Sequence, residues 1–314
     1  MRRLFIRLAW IAAGYLLLAV PLSRYYDRYY QRHPDLCDKT DWILSRRGMA
    51  ADDVFLGSSR AYNMVDVPLY QELTGRRAVN LGTSGSNYAE NFLLLRQFVK
   101  HENTVRRVWL QADIYSLDAD AAFSAPFHAY QFMPWLSDPE VAGVVREQVE
   151  LPHYLLWAYV PFAKYIEFNG EYNLYKLLRG GFACAEGPFD ASLGSELLAA
   201  AAQPLARKPV RAFGVNPEDL RGLERLLAWC RASGIEVVLY EAPEYLPFTD
   251  QPANRAALED TLAQAAFSAG LPWLRFREPE IWSQDTLFAD ATHLNAAGTR
   301  RFTQELAARA LLLP

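Results

Sequence analysis

The sequence predicts an α/β protein: a three-layer α/β/α sandwich on a five-stranded, mostly parallel sheet, with a helical aromatic-rich insertion and an N-terminal transmembrane helix. Three observations predict it. Five short apolar runs alternate with helical patterns, the first two runs stop at turns rich in Gly and Ser, and a basic-flanked apolar stretch opens the chain. Strands alternating with helices imply parallel crossover units and a sheet covered on both faces. A chain of 314 residues accommodates one sizeable domain and an elaboration. The formal net charge of −4 offers no basic face, so no nucleic-acid partner is expected.

The elements follow in chain order. Arg2, Arg3 and Arg7 precede an apolar stretch from Leu8 to Leu22, broken only by Gly14 and Pro21. That is short of the roughly 20 residues of a full span, but Leu4 to Ile6 lengthen it if Arg7 snorkels. The basic N-terminal side predicts that this end stays in the cytoplasm and the remainder is exported, giving a single-pass protein of the inner (cytoplasmic) membrane with a periplasmic domain. A cleaved signal peptide and a buried core helix are the competing readings. No small-x-small site precedes Ser23 and no lipidation cysteine follows closely, so residues 1–25 read as an uncleaved anchor. Residues 26–50 read as a juxtamembrane linker, and Tyr and Arg side chains between Ser23 and His33 suit a headgroup layer. Residues 51–314 form the exported domain.

Within that domain Val54 to Leu56 is a buried strand stopped by Gly57-Ser58-Ser59, and Ala78 to Leu81 is a second, stopped by Gly82-Thr-Ser-Gly85. Asn87 to Val99 has helical spacing, and Val108 to Leu110 is the third strand. A helix over Leu220 to Cys230, a strand over Glu236 to Tyr240, a helix over Asn254 to Phe267, a strand over Pro272 to Phe276 and a closing helix over Ala296 to Leu312 complete the alternation. Residues 116–212 break it. Phe127, Tyr130, Phe132, Trp135, Trp157, Tyr159 and Tyr165 fall in this insertion, which reads as a cap on the sheet edge. A lid, a carbohydrate groove, a surface for a membrane partner and a hydrophobic subdomain that merely packs are all open; packing is the commoner use of aromatics. The short run from Leu197 to Ala202 is an ordinary helical segment. Cys230 lies on a helical pattern as a buried thiol, whereas Cys37 and Cys184 sit in irregular segments and either pair in an oxidising compartment or stay as two thiols.

Three motifs carry chemistry. Ser59 stands where a strand turns into a helix, so its hydroxyl can stand above the sheet near exposed backbone N–H groups. Alone, Gly-Ser-Ser is only turn chemistry. Asn80-Leu-Gly-Thr-Ser-Gly85-Ser-Asn87 follows the second strand; its glycines can turn N–H groups towards a ligand, and Asn87 suits a helix N-cap. Asp290-Ala-Thr-His293 opens the last helix, with only two residues between acid and base. The carboxylate can then reach one imidazole nitrogen while the other faces a serine. A serine turn after the first strand and Asp-x-x-His after the last make a stronger signal together than apart. No metal or cofactor is implied: His33, His101, His128 and His153 lack companion spacing, and no phosphate-binding Gly-x-x-x-x-Gly-Lys motif follows a strand.

These blocks resemble the SGNH/GDSL hydrolase superfamily, whose fold is flavodoxin-like, over nearly the whole exported domain. Gly57-Ser58-Ser59 matches the first block, with Ser58 where Asp is usual, as in the branch that holds the teichoic acid D-alanylation protein. Asn80 to Gly85 matches the second block and Asp290-x-x-His293 the last. The resemblance implies Ser59 as nucleophile, His293 as base and Asp290 as orienting acid, with Ser59, Gly85 and Asn87 around the oxyanion. The third block usually reads Gly-x-Asn-Asp; here it is Leu110-Gln-Ala-Asp113, so the side-chain amide is missing from its place, and Asn87 or Gln111 is the candidate replacement. The implied activity is that of a serine esterase or O-acyltransferase on surface polysaccharide, similar to the anchored alginate and cellulose O-acetylation proteins. Its implied partners are an acylated or acceptor glycan and a multipass membrane O-acyltransferase. A catalytically silent domain that binds glycan or scaffolds such a complex, and a periplasmic esterase or lipase for soluble substrates, are the alternatives.

Overall fold

The protein is described here by a computed structural model covering residues 1–32, 39–117, 127–172, 212–248 and 253–313. It divides into two compact units, one of residues 46–126 and 190–314, the other of residues 1–45 and 127–189. The first unit holds the sheet: β1 Ala50–Leu56, β2 Ala78–Asn80, β3 Thr104–Gln111, β4 Glu236–Glu241 and β5 Trp273–Arg275. All four pairings are parallel and the order is β2-β1-β3-β4-β5. Phe55 pairs with both Asn80 and Trp109, and Leu110 with Leu239.

Parallel strands covered by helices on both faces lose the polar alternation of a half-exposed sheet. Phe55, Trp109, Val238 and Tyr240 share one core with Phe302 and Leu306 of the closing Ala296–Leu312 helix. Their neighbours Val54, Leu56, Val108, Leu110 and Leu239 are also buried. The Tyr88–Lys100 and Pro217–Ala232 helices pack together, while Ala296–Leu312 packs on Val67–Thr74.

Two strands begin earlier than their apolar runs, β1 at Ala50 and β3 at Thr104. Their first halves carry charged side chains that tertiary partners satisfy through hydrogen bonds or an ion pair. Buried Asp53 accepts hydrogen bonds from Tyr70 Oη and Trp109 Nε1, both at 2.9 Å, and Arg107 meets Glu236 at 2.6 Å. Hydrophobic periodicity cannot see such partners. In this order the chain leaves β1 to one side for β2 and returns to its other side for β3. The carboxyl ends of β1 and β3 therefore flank the point where the strand order reverses, the place where open α/β sheets form a crevice. Gly57 and Gln111 stand at those two ends.

The second unit is built on the Arg2–Arg32 helix, whose best 18-residue window has a mean hydropathy of 1.9, long and apolar enough to cross a membrane. The helix runs on past residue 25, and Lys39–Ser45 is a further helix with six of its seven residues buried, so much of the segment read as a linker is structured. The reason is aromatic packing. Tyr26 meets Phe162 and Tyr165 at ring-centroid distances of 5.0 and 4.8 Å, Tyr30 meets Tyr172 at 4.8 Å, and Lys164 Nζ donates to Asp27 at 2.7 Å. Residues 127–172 of the insertion thus group with residues 1–45, where the sequence assigned them to the 51–314 domain. Phe127 stacks on Phe132, and Trp157 contacts Phe168. Cys37, Cys184 and the run from Leu197 to Ala202 lie outside the described residues. Cys230 is a free thiol pushed up to about 12 by burial.

Candidate active site

The turn after β1 is shaped by one glycine. Gly57 has φ +151°, and a Cβ there would lie 2.5 Å from the Cβ of Gln111, so the two strand ends approach too closely for any side chain. The Gly57 carbonyl accepts hydrogen bonds from Thr83 N–H at 3.0 Å and Ser86 Oγ at 2.8 Å, which tie the second Gly-rich loop to this turn. Asn80, fully buried, stitches the same loop: Nδ2 donates to Ala61 O at 2.9 Å and Oδ1 accepts from Gly82 N–H at 2.9 Å. Ser59 then opens the Ser59–Met64 helix and remains partly exposed.

Gln111 holds the turn from the other side. Its Oε1 accepts from Ser58 N at 3.0 Å, Ser58 Oγ at 3.1 Å and Ala61 N at 3.0 Å, and its Nε2 donates to Asp113 Oδ2 at 2.5 Å. With Nε2 donating to Asp113, Gln111 braces the turn that carries Ser59, and its amide N–H is not free to take the place of the third-block side-chain donor. Asp113 also takes Arg60 at 2.6 Å, and Arg60 donates onward to Ala242 O at 2.5 Å and Pro243 O at 3.0 Å. The series continues through Glu244, which accepts from Tyr115 Oη at 2.8 Å and from Arg255 at 2.9 and 3.0 Å. Burial disfavours the charge on Glu244, but Arg255 and Arg60 outweigh it and hold its carboxyl below the ordinary range. A buried ion pair survives desolvation only with such saturation by partners.

The acid and base come from the loop before the closing helix. Phe288 and Leu294 form an isolated antiparallel bridge, and Ala289 N–H donates to His293 O at 2.9 Å, so the chain reverses between them. Asn295 anchors this reversal. Its Oδ1 caps the helix by accepting from Ala297 and Gly298 N–H at 3.0 and 3.1 Å, while Nδ2 donates to Thr286 O at 2.8 Å and Phe288 O at 3.2 Å. Gly298 permits the approach, since a Cβ there would lie 2.0 Å from the Leu287 carbonyl oxygen.

These elements bring Ser59, His293 and Asp290 into one hydrogen-bonded series. Ser59 Oγ lies 2.8 Å from His293 Nε2 across 234 residues of chain. His293 Nδ1 lies 2.9 Å from Asp290 Oδ2 and 3.1 Å from Oδ1. Asp290 Oδ1 also accepts from Thr292 N–H at 2.8 Å, Thr292 Oγ1 at 3.0 Å and His293 N–H at 2.9 Å. Burial opposes the Asp290 charge, but the hydrogen bond and charge of His293 and the Thr292 donors prevail and hold the carboxyl well below its usual range. An ionised Asp290 on Nδ1 leaves Nε2 as the acceptor for the serine proton.

The remaining sequence candidates are placed less directly. Gly85 has φ +73° in the loop tied to Gly57. Asn87 forms a capping box: its Oδ1 accepts from Glu90 N–H at 3.0 Å and Glu90 accepts from its N–H at 2.9 Å. Its carbonyl is therefore committed to the Tyr88–Lys100 helix. Sequence reasoning missed the bracing role of Gln111, and with it Arg60, Asp113 and Thr292. The available signal was two polar residues, Gln111 and Asp113, directly after the buried apolar run of β3. Among the described residues no group of three or more His, Cys, Asp or Glu could hold a metal ion.

No family model matches the chain, and no curated protein matches it in sequence. Solved structures do match. A GDSL-like lipase from Bacteroides thetaiotaomicron VPI-5482 is 12% identical with a TM-score of 0.41, the match covering 92% of this chain and 100% of that one. A structure described as an acylhydrolase, from Bacteroides fragilis NCTC 9343, is 13% identical with a TM-score of 0.41, covering 90% and 96%. At these values the likeness carries nothing about activity, which has to rest on this chain's own residues.

Proposed function

We propose that the chain is an SGNH-type serine esterase or O-acyltransferase of the cell envelope, working on surface polysaccharide through an acyl-serine. The observation that carries this is the Ser59–His293–Asp290 series, in which a 2.8 Å hydrogen bond joins Ser59 and His293 from opposite ends of the domain and a 2.9 Å bond ties His293 to Asp290. His293 Nε2 takes the Ser59 proton as Oγ bonds to the ester carbonyl carbon. The tetrahedral oxyanion is met by the backbone N–H groups of Ser59 and Gly85, with the Asn87 side-chain NH2 as a third donor. The proton returns from His293 to the departing alkoxide, leaving the acyl group on Ser59. Water, or a sugar hydroxyl, then gives its proton to His293 and takes the acyl group, restoring the serine. The apolar Arg2–Arg32 helix supports an anchored, exported protein, its basic end cytoplasmic, beside a multipass O-acyltransferase that supplies or accepts the acyl group.

One observation favours a second reading, a catalytically silent domain that binds glycan in such an assembly. The third-block side chain is committed to the turn, with Gln111 Nε2 on Asp113, and loss of one oxyanion donor costs on the order of 100-fold in rate. Labelling by a fluorophosphonate separates the two. The enzyme reading expects labelling and p-nitrophenyl acetate hydrolysis that vanish in Ser59→Ala, by about 1,000-fold or more. Absence of both in folded wild-type protein leaves the silent reading.

A further inference from the structure

The unit containing the N-terminal helix, taken by itself, carries an apolar surface that acyl transfer does not use. The Leu151–Tyr159 helix buries only Trp157. Leu151, Leu155, Tyr159 and Val160 stand exposed, Tyr159 at 73%, and Ile166 follows at 56%. A contiguous patch of large apolar side chains marks a contact surface.

Its height along the N-terminal helix is bracketed by two sets of contacts, one from Tyr15 to Pro161 and the other from Tyr26 and Asp27 to Phe162 and Lys164. Tyr15 Oη donates to the carbonyl of Pro161 at 2.5 Å. The turn after the Leu151–Tyr159 helix is therefore held between the levels of Tyr15 and Tyr26, beside the upper end of the apolar stretch from Leu8 to Leu22. Backbone at that depth needs its polar groups satisfied. Pro161 has no N–H, and Tyr15 satisfies its carbonyl. A cleft of about 250 Å³ between the same elements is lined by Val20, Arg24, Trp157 and Pro161 among others. Above this level Arg24, Arg28 and Arg32 recur at every fourth residue, exposed and without an ion-pair partner among the described residues. An apolar band topped by exposed arginines and by Tyr25 and Tyr29 matches hydrocarbon beneath a layer of lipid phosphates.

We infer that the segment from Leu151 to Pro161 is a second membrane element, seated in the hydrocarbon of the domain-side leaflet next to the N-terminal helix. This rests on reading that helix as a membrane span, and the experiment separates the two. In the full-length protein, with its native cysteines replaced by alanine and its melting checked against wild type, a nitroxide is placed at Leu155→Cys or Tyr159→Cys. Trp10→Cys serves as the reference for the span and Glu224→Cys as the reference for water. In phosphatidylethanolamine–phosphatidylglycerol vesicles, power saturation with oxygen and with a soluble nickel chelate reads the surroundings of each label. Labels at 155 and 159 are expected to match Trp10→Cys, accessible to oxygen and shielded from nickel. If Trp10→Cys reads as lipid while both test positions match Glu224→Cys, the inference fails and the span stands. Exclusion of oxygen and nickel alike at 155 and 159 would mean that protein covers the patch, which also overturns it. An aqueous signal at Trp10→Cys removes the span and the inference together.

Discussion

Replacing Gln111 by Met tests what braces the Ser59 turn. The two side chains are close in length and volume, so the substitution leaves little cavity and little strain. It removes the acceptor of the Ser58 and Ala61 N–H groups, each bonded at 3.0 Å, and the donor to Asp113 at 2.5 Å. Gln111 is 2% exposed, so water cannot readily replace it. A buried polar group left without its partner costs about 1–3 kcal/mol; the Ser58 and Ala61 N–H groups at the low end give about 2 kcal/mol, while Asp113 keeps its bond from Arg60. The same loss frees the turn that aims Ser59, and a displacement of about 1 Å at a reacting group costs about 100-fold in rate. Gln111→Met should therefore lower both the stability, read by thermal or urea unfolding, and kcat on p-nitrophenyl acetate. A fall in kcat with wild-type unfolding would instead make Gln111 an oxyanion donor and refute the bracing role. Wild-type values of both would show that the turn stands without it.

Two further outcomes are expected. Gly298→Ala would place a methyl 2.0 Å from the Leu287 carbonyl, so the helix start must shift and carry the Asn295 anchor with it; a loss of about 1–3 kcal/mol is expected, together with a fall in kcat as His293 moves, and a variant at wild-type rate would uncouple the cap from the site. Asp219 should give a pH-dependent stability: burial, with Glu90 and Glu218 adding, lifts its carboxyl from 3.8 to about 6 against the hydrogen bond from Asn216. Because the folded value is raised, its stabilising contribution is complete below pH 3.8 and lost as pH rises through about 6, a change of about 3 kcal/mol for two units. Asp219→Asn should melt higher than wild type at pH 8 and not at pH 4; an equal difference at both values contradicts the assignment.

Much of the α/β order was legible because its signals are local. An apolar run ending in Gly-Ser, a helical period and an N-cap such as Asn295 act within a few residues of themselves. The Asp290–His293 contact is equally local, three residues apart on a reversing loop. The charged first halves of β1 and β3 were not legible, because Asp53 and Arg107 are stable in a sheet only once Tyr70, Trp109 and Glu236 have arrived from elsewhere in the chain. The same holds for the N-terminal helix beyond residue 25, where Tyr26 and Tyr30 resemble headgroup-layer residues until Phe162, Tyr165 and Tyr172 close on them.

By itself, then, the sequence determined which residue types stand at the ends of the strands and that a serine turn and an Asp-x-x-His loop bracket the domain. Only the tertiary structure decided that Gln111 faces Ser58 and Ala61 instead of a substrate, and that Ser59 and His293 come within 2.8 Å. The physical reason is range: turns and caps are set by neighbours along the chain, whereas the acceptor that a buried amide finds depends on the register of parallel strands and on helices that begin more than 50 residues away.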